Sequence, residues 1–418
     1  MTRLHRLVRR AAPAVTAVAL LTAALLLAFG PPPLLRWIPH PDVAGMHVDF
    51  DTFWHSARAL VEYGPGSSVI YDTGARLHNL NPPLLSVLLA PLGALDALTG
   101  YRILTACSVL LVAGSVVAAG RELRLGPGWT LLGLGAVLAS SPLHGTLLLG
   151  QIYPLLLAGI TAGWIAERRG HPVAAAVLYR ITVALKPSLA PLLLLAAAQR
   201  RWRPFAAGVG AAAVATLVGV AVAGWSTAWQ WLTMALAEPV GPTLDNASLP
   251  GLALRWGLPA AVGTVLGAAL LLGTLAHYAR RTARYGSGLA AGTDPGGTAP
   301  FAVLATGLLA APISWHNYLL LLWPGLLALA ASGRPGDTRR RVVAALFALA
   351  VIPVAWGDLW ADGFPLSPLG RALYTAVLLA AWWALLRPAT GPVPPGSAPV
   401  SRPDRRPGAA GEPVRPGA

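Results

Sequence analysis

Long apolar runs, separated by short connectors that carry the charge or the Pro and Gly, recur along most of the 418 residues. A soluble domain buries one core. Apolar runs in series read instead as successive membrane-crossing helices. Only 11% of the residues are charged, against about a quarter in a water-facing domain, so little of the chain can form a soluble surface. The expected spans are 11–30, 101–120, 128–142, 147–166, 171–186, 188–199, 203–224, 253–279, 298–312, 315–332, 340–357 and 368–387. The expected fold is therefore an all-α polytopic membrane bundle over 1–387, followed by a Pro/Gly/Arg-rich tail, 388–418, that cannot bury a core.

The net charge of +15 invites a nucleic-acid reading, which its distribution excludes. The arginines sit at the ends of apolar runs and in the tail, where membrane orientation accounts for them. Arginine-bearing connectors are 1–10, 121–124, 167–169, 200–203, 280–284, 334–341 and 387–418, whereas 31–81, 142–147, 225–252, 312–315 and 358–367 are poor in basic residues. The two sets alternate if the apolar stretch 82–98 lies along the membrane surface as a juxtamembrane helix rather than crossing. About twelve crossings then place both termini and every arginine-rich loop in the cytoplasm of a multi-pass plasma-membrane protein. The segment 31–98 becomes a long external loop with juxtamembrane helices. The basic N-terminus and the run 11–30 resemble a signal peptide, but the run is long, so an uncleaved first span is expected. Cys107 is the only cysteine, which rules out an intrachain disulfide and a cysteine metal site.

On this topology the unusual polar residues gather at the outer face, where ionisable groups near hydrocarbon call for a reason. Asp49 and Asp51 lie in VDFDTFWHSARAL, before an amphipathic helix expected over 50–64. Asp51 has two readings, a second acidic group of a site or the N-cap of that helix. Asp49 precedes the helix among apolar neighbours, where a partly desolvated carboxylate gains a raised pKa and can act as a general base. Gln151, in GQIYP, starts a span on the outer side; its amide can bind hydroxyls, and equally can close a helix end. Lys186 is the only lysine and stands before Pro187. A snorkelling side chain is one reading; a phosphate-holding cation at headgroup depth is the other. Arg180, deeper in the same segment, could pair with a carboxylate or reach the same anion. Asn246 lies in the polar turn LDNASLPG, and His316 and Asn317 in the short outer connection APISWHNYL. A lone histidine is more often structural, but this one is flanked by Trp315 and Tyr318. No phosphate-binding glycine loop, HExxH or GxSxG is present.

Taken in order, DFDTFWHSARAL with VIYD, NPPLLSVLLAPLGAL, GQIYPLLLAGITAGWIAERRGHPVAA, ITVALKPSLAPLLLLAAAQRRWR, NASLPGLALRW and APISWHNYLLLLWPGLLAL resemble the polyprenol-phosphate-mannose-dependent α-1,2-mannosyltransferases of actinobacteria. That family belongs to the GT-C class of membrane glycosyltransferases. The resemblance spans about residues 49–330 and implies a GT-C-like bundle. It also implies a catalytic carboxylate at Asp49, and a lysine before proline and an outer histidine motif at Lys186 and His316. The chain departs from the pattern at Arg180, where a small residue is usual, and at Tyr153, where asparagine is common.

The implied reaction is inverting transfer of a sugar, mannose by the resemblance, from a polyprenyl-phosphate donor to a glycolipid or glycan acceptor of the cell envelope. Nucleotide sugars are confined to the cytoplasm, so an outward site needs a lipid-borne donor. Asp49 would take the proton, Lys186, His316 and Arg180 would hold the phosphate, and Gln151, Asn246 and Asn317 would orient sugar or acceptor. No cofactor is implied. Asp49 and Asp51 could share a divalent metal, but their spacing does not demand one. The rival reading is a lipid or solute transporter or flippase, which predicts inverted repeats and charges at the bilayer midplane; the polar residues cluster at one face instead.

Overall fold

A computed structural model of the chain describes residues 47–73, 75, 77–286, 294, 297–332, 338, 341–343, 345–346 and 367–386. The expected first span 11–30, most of 340–357 and the tail 388–418 lie outside them, as do Asp358 and Asp362. The described residues are helical and contain no β-strand. The chain runs α1 Val48–Tyr63, α2 Pro83–Gly93, α3 Ala97–Glu122, α4 Pro127–Leu138, α5 Ser141–Leu149, α6 Tyr153–Arg168, α7 Pro172–Leu185, α8 Pro191–Ala198 and α9 Trp202–Ala223. It continues through α10 Trp225–Ala237, α11 Leu249–Arg255, α12 Ala260–Tyr285, α13 Ala299–Ala310, α14 Trp323–Ser332 and α15 Ser367–Leu386.

Proline accounts for many of the helix starts. It occupies the first turn of α2, α4, α5, α6, α7, α8, α11 and α13, where its missing N–H costs no hydrogen bond and its φ suits the helix. Side-chain caps add to this: Asp96 accepts from Thr99 N at 3.0 Å, and Ser248 accepts from Gly251 N at 3.1 Å.

Burial separates an inner helix from outer ones. Every residue of α13 from Ala299 to Leu309 is buried, so protein surrounds it on all sides. Among the described residues three helices, α3, α9 and α12, are long and apolar enough to cross a membrane, yet in α9 only Gly208, Gly219 and Ala223 are buried. An apolar helix that turns Val214, Leu217 and Val218 outward needs an apolar solvent, which is the bilayer. At the arginine-rich end, Glu122 pairs with Arg168 and Arg169, and Glu167 pairs with Arg201, tying the ends of α3 and α6 to the turn before α9.

Several expected boundaries move. The span expected at 128–142 is a pair, α4 and α5, bent by 52° at Ala139–Ser140. The span expected at 253–279 splits into α11 and α12 at Gly257–Pro259, and the one at 315–332 opens as a 3-10 turn over His316–Leu322. The external loop expected at 225–252 contains α10: its tryptophans suit an interface, and they suit a helix there equally well. Helix α2 has 11 residues and reaches only about 16 Å, too short to cross. Among the described residues, three helices are long and apolar enough to cross singly, and α4–α5 makes a fourth if counted as one bent span.

Candidate active site

The candidate site is centred on Asp49, in the first turn of α1. The helix starts two residues earlier than the sequence suggests, and His47, not Asp51, is its N-cap. Residues two apart on a helix point to opposite sides. Asp51 accordingly faces away, with its Oδ1 3.4 Å from His55 Nδ1. The two carboxylates do not form a pair, and among the described residues no three His, Cys, Asp or Glu side chains gather as a metal ion would need.

Gln151 Nε2 donates to Asp49 Oδ2 at 2.7 Å. The turn before α6 makes this reach possible. Gly150 closes α5 in the left-handed conformation, φ +71, and a Cβ there would stand 2.3 Å from Phe50 Cβ. Only glycine allows the α5–α6 turn to approach α1 so closely. Gln151 Oε1 is buried without a partner. Burial raises the Asp49 carboxyl above its ordinary value, opposed by the Gln151 hydrogen bond and then by the positive charge of Lys186.

Lys186 ends α7 in extended conformation, forced out of the helix by Pro187. Its Nζ donates to Asn81 Oδ1 at 3.0 Å and lies 5.8 and 5.7 Å from the ring centres of Tyr153 and Tyr318. Those rings pack 4.5 Å apart and offer the ammonium a cation–π face. Asn79 Oδ1 accepts from Asn81 Nδ2 at 3.2 Å, and Asn79 Nδ2 donates to Ser56 Oγ at 3.0 Å. The lysine is thus connected back to α1, the helix that carries Asp49.

His316 is held by its backbone N–H, which donates to the carbonyl of Asp245 at 2.9 Å. Its ring packs 5.2 Å from that of Tyr374, and both ring nitrogens are buried without partners. It faces a recess of about 40 Å³ with Ser140, Ser141 and Tyr374, which neither Asp49 nor Lys186 lines. Asn317 is buried against Gly145, its Oδ1 unpartnered.

Residues 79–293 match the family described as glycosyltransferase family 87. The chain belongs to that family. It is 26% identical over 372 residues, 81% of this chain and 82% of the relative, to the polyprenol-phosphate-mannose-dependent alpha-(1-2)-phosphatidylinositol mannoside mannosyltransferase of Mycobacterium tuberculosis. The protein of the same description from Mycolicibacterium smegmatis is 26% identical over 313 residues, 68% of this chain and 69% of the relative. An alpha-(1->3)-arabinofuranosyltransferase of Corynebacterium glutamicum is 27% identical over 221 residues, 50% of this chain and 51% of the relative. With its apolar helices, this family 87 chain is a membrane glycosyltransferase.

Two residues expected at its site are engaged elsewhere. Arg180 is 1% exposed. It donates to the carbonyls of Leu193 at 2.7 Å and Phe205 at 2.9 Å, and lies 5.2 Å over the Phe205 ring. It joins α7 to α8 and α9. Asn246 accepts from Ser248 N and Ser314 N at 3.1 and 2.9 Å and donates to Pro312 O at 3.2 Å. It clamps the turn before α11 to the strand-like bridge with Trp315. Conversely, Asn81, Tyr153 and Tyr318 surround Lys186 and were not among the expected site residues. Only the polarity of Asn81, between Leu80 and two prolines, could have marked it.

Proposed function

We propose that this family 87 glycosyltransferase transfers mannose from a polyprenyl-phosphate donor to a glycolipid or glycan hydroxyl at the outer face of the plasma membrane, with inversion. The observation that carries the proposal is the convergence of Asp49, Gln151 and Lys186 from distant parts of the chain, a crowded carboxylate within the field of a fixed cation. The names of the two mycobacterial relatives support the donor and an α-1,2 linkage.

In this mechanism Asp49 accepts the proton of the acceptor hydroxyl as that oxygen bonds to the anomeric carbon. The bond from that carbon to the phosphate oxygen breaks, and polyprenyl phosphate leaves with the electron pair. The pKa-raising crowding makes Asp49 a stronger base than a solvated aspartate. Lys186, anchored by Asn81 and the tyrosine pair, stabilises the departing phosphate. His316, two residues from Tyr318, serves the phosphate or the acceptor from the adjacent recess, with Asn317 beside it. Gln151 orients the base. The distribution of arginine supports an outward site, on the expected topology of about twelve spans with both termini in the cytoplasm.

The test is transfer of labelled mannose from polyprenyl-phosphate-mannose in membranes that contain the protein. Asp49→Asn lowers turnover about 10²–10⁴-fold, the usual contribution of a positioned base, while the variant still elutes as a folded species. Turnover within a few-fold of wild type in that variant overturns the assignment. The Corynebacterium relative supports a second reading, a pentofuranosyl donor; polyprenyl-phosphate-arabinose in the same assay separates the two. A flippase would move the lipid across vesicles and form no glycosidic bond.

A further inference from the structure

At the opposite end of the bundle, α12 and α15 leave a groove of about 540 Å³. On α12 the residues facing it recur at helical spacing, Leu270, Gly273, His277, Arg280, Arg281 and Arg284. The stripe is apolar toward the middle of the helix and cationic at its end. Trp382 forms the facing wall, its Nε1 donating to Thr274 Oγ1 at 3.1 Å. Arg280 and Arg284 form no ion pair with a described residue, and His277 Nε2 is buried without a hydrogen-bond partner. The floor at Gly273 is open: a Cβ built there meets nothing within 4 Å.

We propose that this groove is a binding site for one anionic phospholipid, its phosphodiester held by Arg280, Arg281 and Arg284 and an acyl chain lying against Leu270, Gly273 and Trp382. Three observations favour a lipid over a free anion. The volume exceeds what a phosphate fills. Charge and apolarity are segregated along the groove as they are along a phospholipid. The helix that carries the stripe is one of the three long enough to span a bilayer, so its cationic end meets the headgroup layer. The site is independent of the glycosyl-transfer reading.

The experiment is native mass spectrometry and thermal unfolding of the full chain in detergent with added phosphatidylglycerol, phosphatidylcholine or glycerol phosphate. Wild type retains phosphatidylglycerol over phosphatidylcholine and unfolds at higher temperature with it. R280Q/R284Q weakens that binding about thirtyfold, taking about fivefold for each arginine at a membrane surface. R121Q/R203Q, which removes two exposed arginines elsewhere, leaves it unchanged. Should R280Q/R284Q fail to fold, Gly273→Leu fills the open floor without changing charge and abolishes retention by itself. Equal loss in both double variants, no preference for the anionic lipid, the same stabilisation by glycerol phosphate, or undiminished retention by Gly273→Leu each overturn the proposal.

Discussion

Replacing Gln151 by Leu separates a base that is oriented from one that is merely present. The amide donates to Asp49 Oδ2 at 2.7 Å from a side chain that is 5% exposed. A hydrogen bond to a charged acceptor contributes about 1.5–3 kcal/mol. Leucine keeps most of the volume and removes the donor. Burial already raises the Asp49 carboxyl, and its largest opposing influence is this bond, so the variant's carboxyl titrates at higher pH than the wild type's. The acid limb of the pH–rate profile therefore moves to higher pH. On that limb turnover falls about ten- to hundredfold, the same 1.5–3 kcal/mol expressed as a ratio, and raising the pH recovers part of it. Stability follows the same linkage. A carboxyl whose folded pKa lies above its unfolded value binds protons better when folded, so stability rises as pH falls through that folded pKa. The variant is thus most destabilised at neutral pH and above, and approaches wild type in acid. Initial rates and unfolding temperatures over a pH series check both limbs. A rate profile that is lower but identical in shape would refute the reasoning, because a purely structural role for Gln151 has no reason to depend on proton concentration.

Asn81→Ala removes the acceptor that fixes the Lys186 ammonium and lowers kcat about three- to tenfold with a smaller change in donor KM, read by steady-state kinetics. Arg180→Met costs about 1–3 kcal/mol of stability through the lost bonds to Leu193 and Phe205 and leaves donor KM unchanged; a raised KM with unchanged melting would return Arg180 to the phosphate. Gly150→Ala destabilises by about 2–5 kcal/mol, from the left-handed backbone and the collision with Phe50, whereas Gly135→Ala, inside α4 with nothing within 4 Å of the new Cβ, stabilises by about 0.5–1 kcal/mol in the same thermal assay.

The helices were legible because apolar spacing is a local property of the sequence. Asp49 and Lys186 draw the eye for a related reason: the bilayer penalises such residues, so each contrasts with its surroundings as a candidate. What the sequence obscured is where a buried polar group spends its hydrogen bonds. Arg180 reads as an anion ligand until the carbonyls of α8 and α9 fold back onto it, a long-range event with no local signature. Asn246 likewise looks available until residues 312–315 arrive. Asp51 reads as a cap because nothing local fixes a helix start to within two residues. Asn81 passes unnoticed because a polar residue before two prolines resembles any helix entry, yet it is the group that positions the lysine.

Lys186 stands at the tip of a hairpin with unequal and short arms, 14 residues in α7 and 8 in α8. At 1.5 Å per residue the longer arm rises about 21 Å, while the hydrocarbon layer is about 30 Å thick. On the proposed topology, with α7 starting at the inner boundary, the tip would stop several ångströms short of the far water boundary and the ammonium would lie recessed below it. A lipid headgroup must sink, or the membrane must pinch, for the two to meet. Bilayer thickness therefore becomes a determinant of turnover, and lengthening the host lipids by a few carbons should slow the enzyme without touching a single side chain.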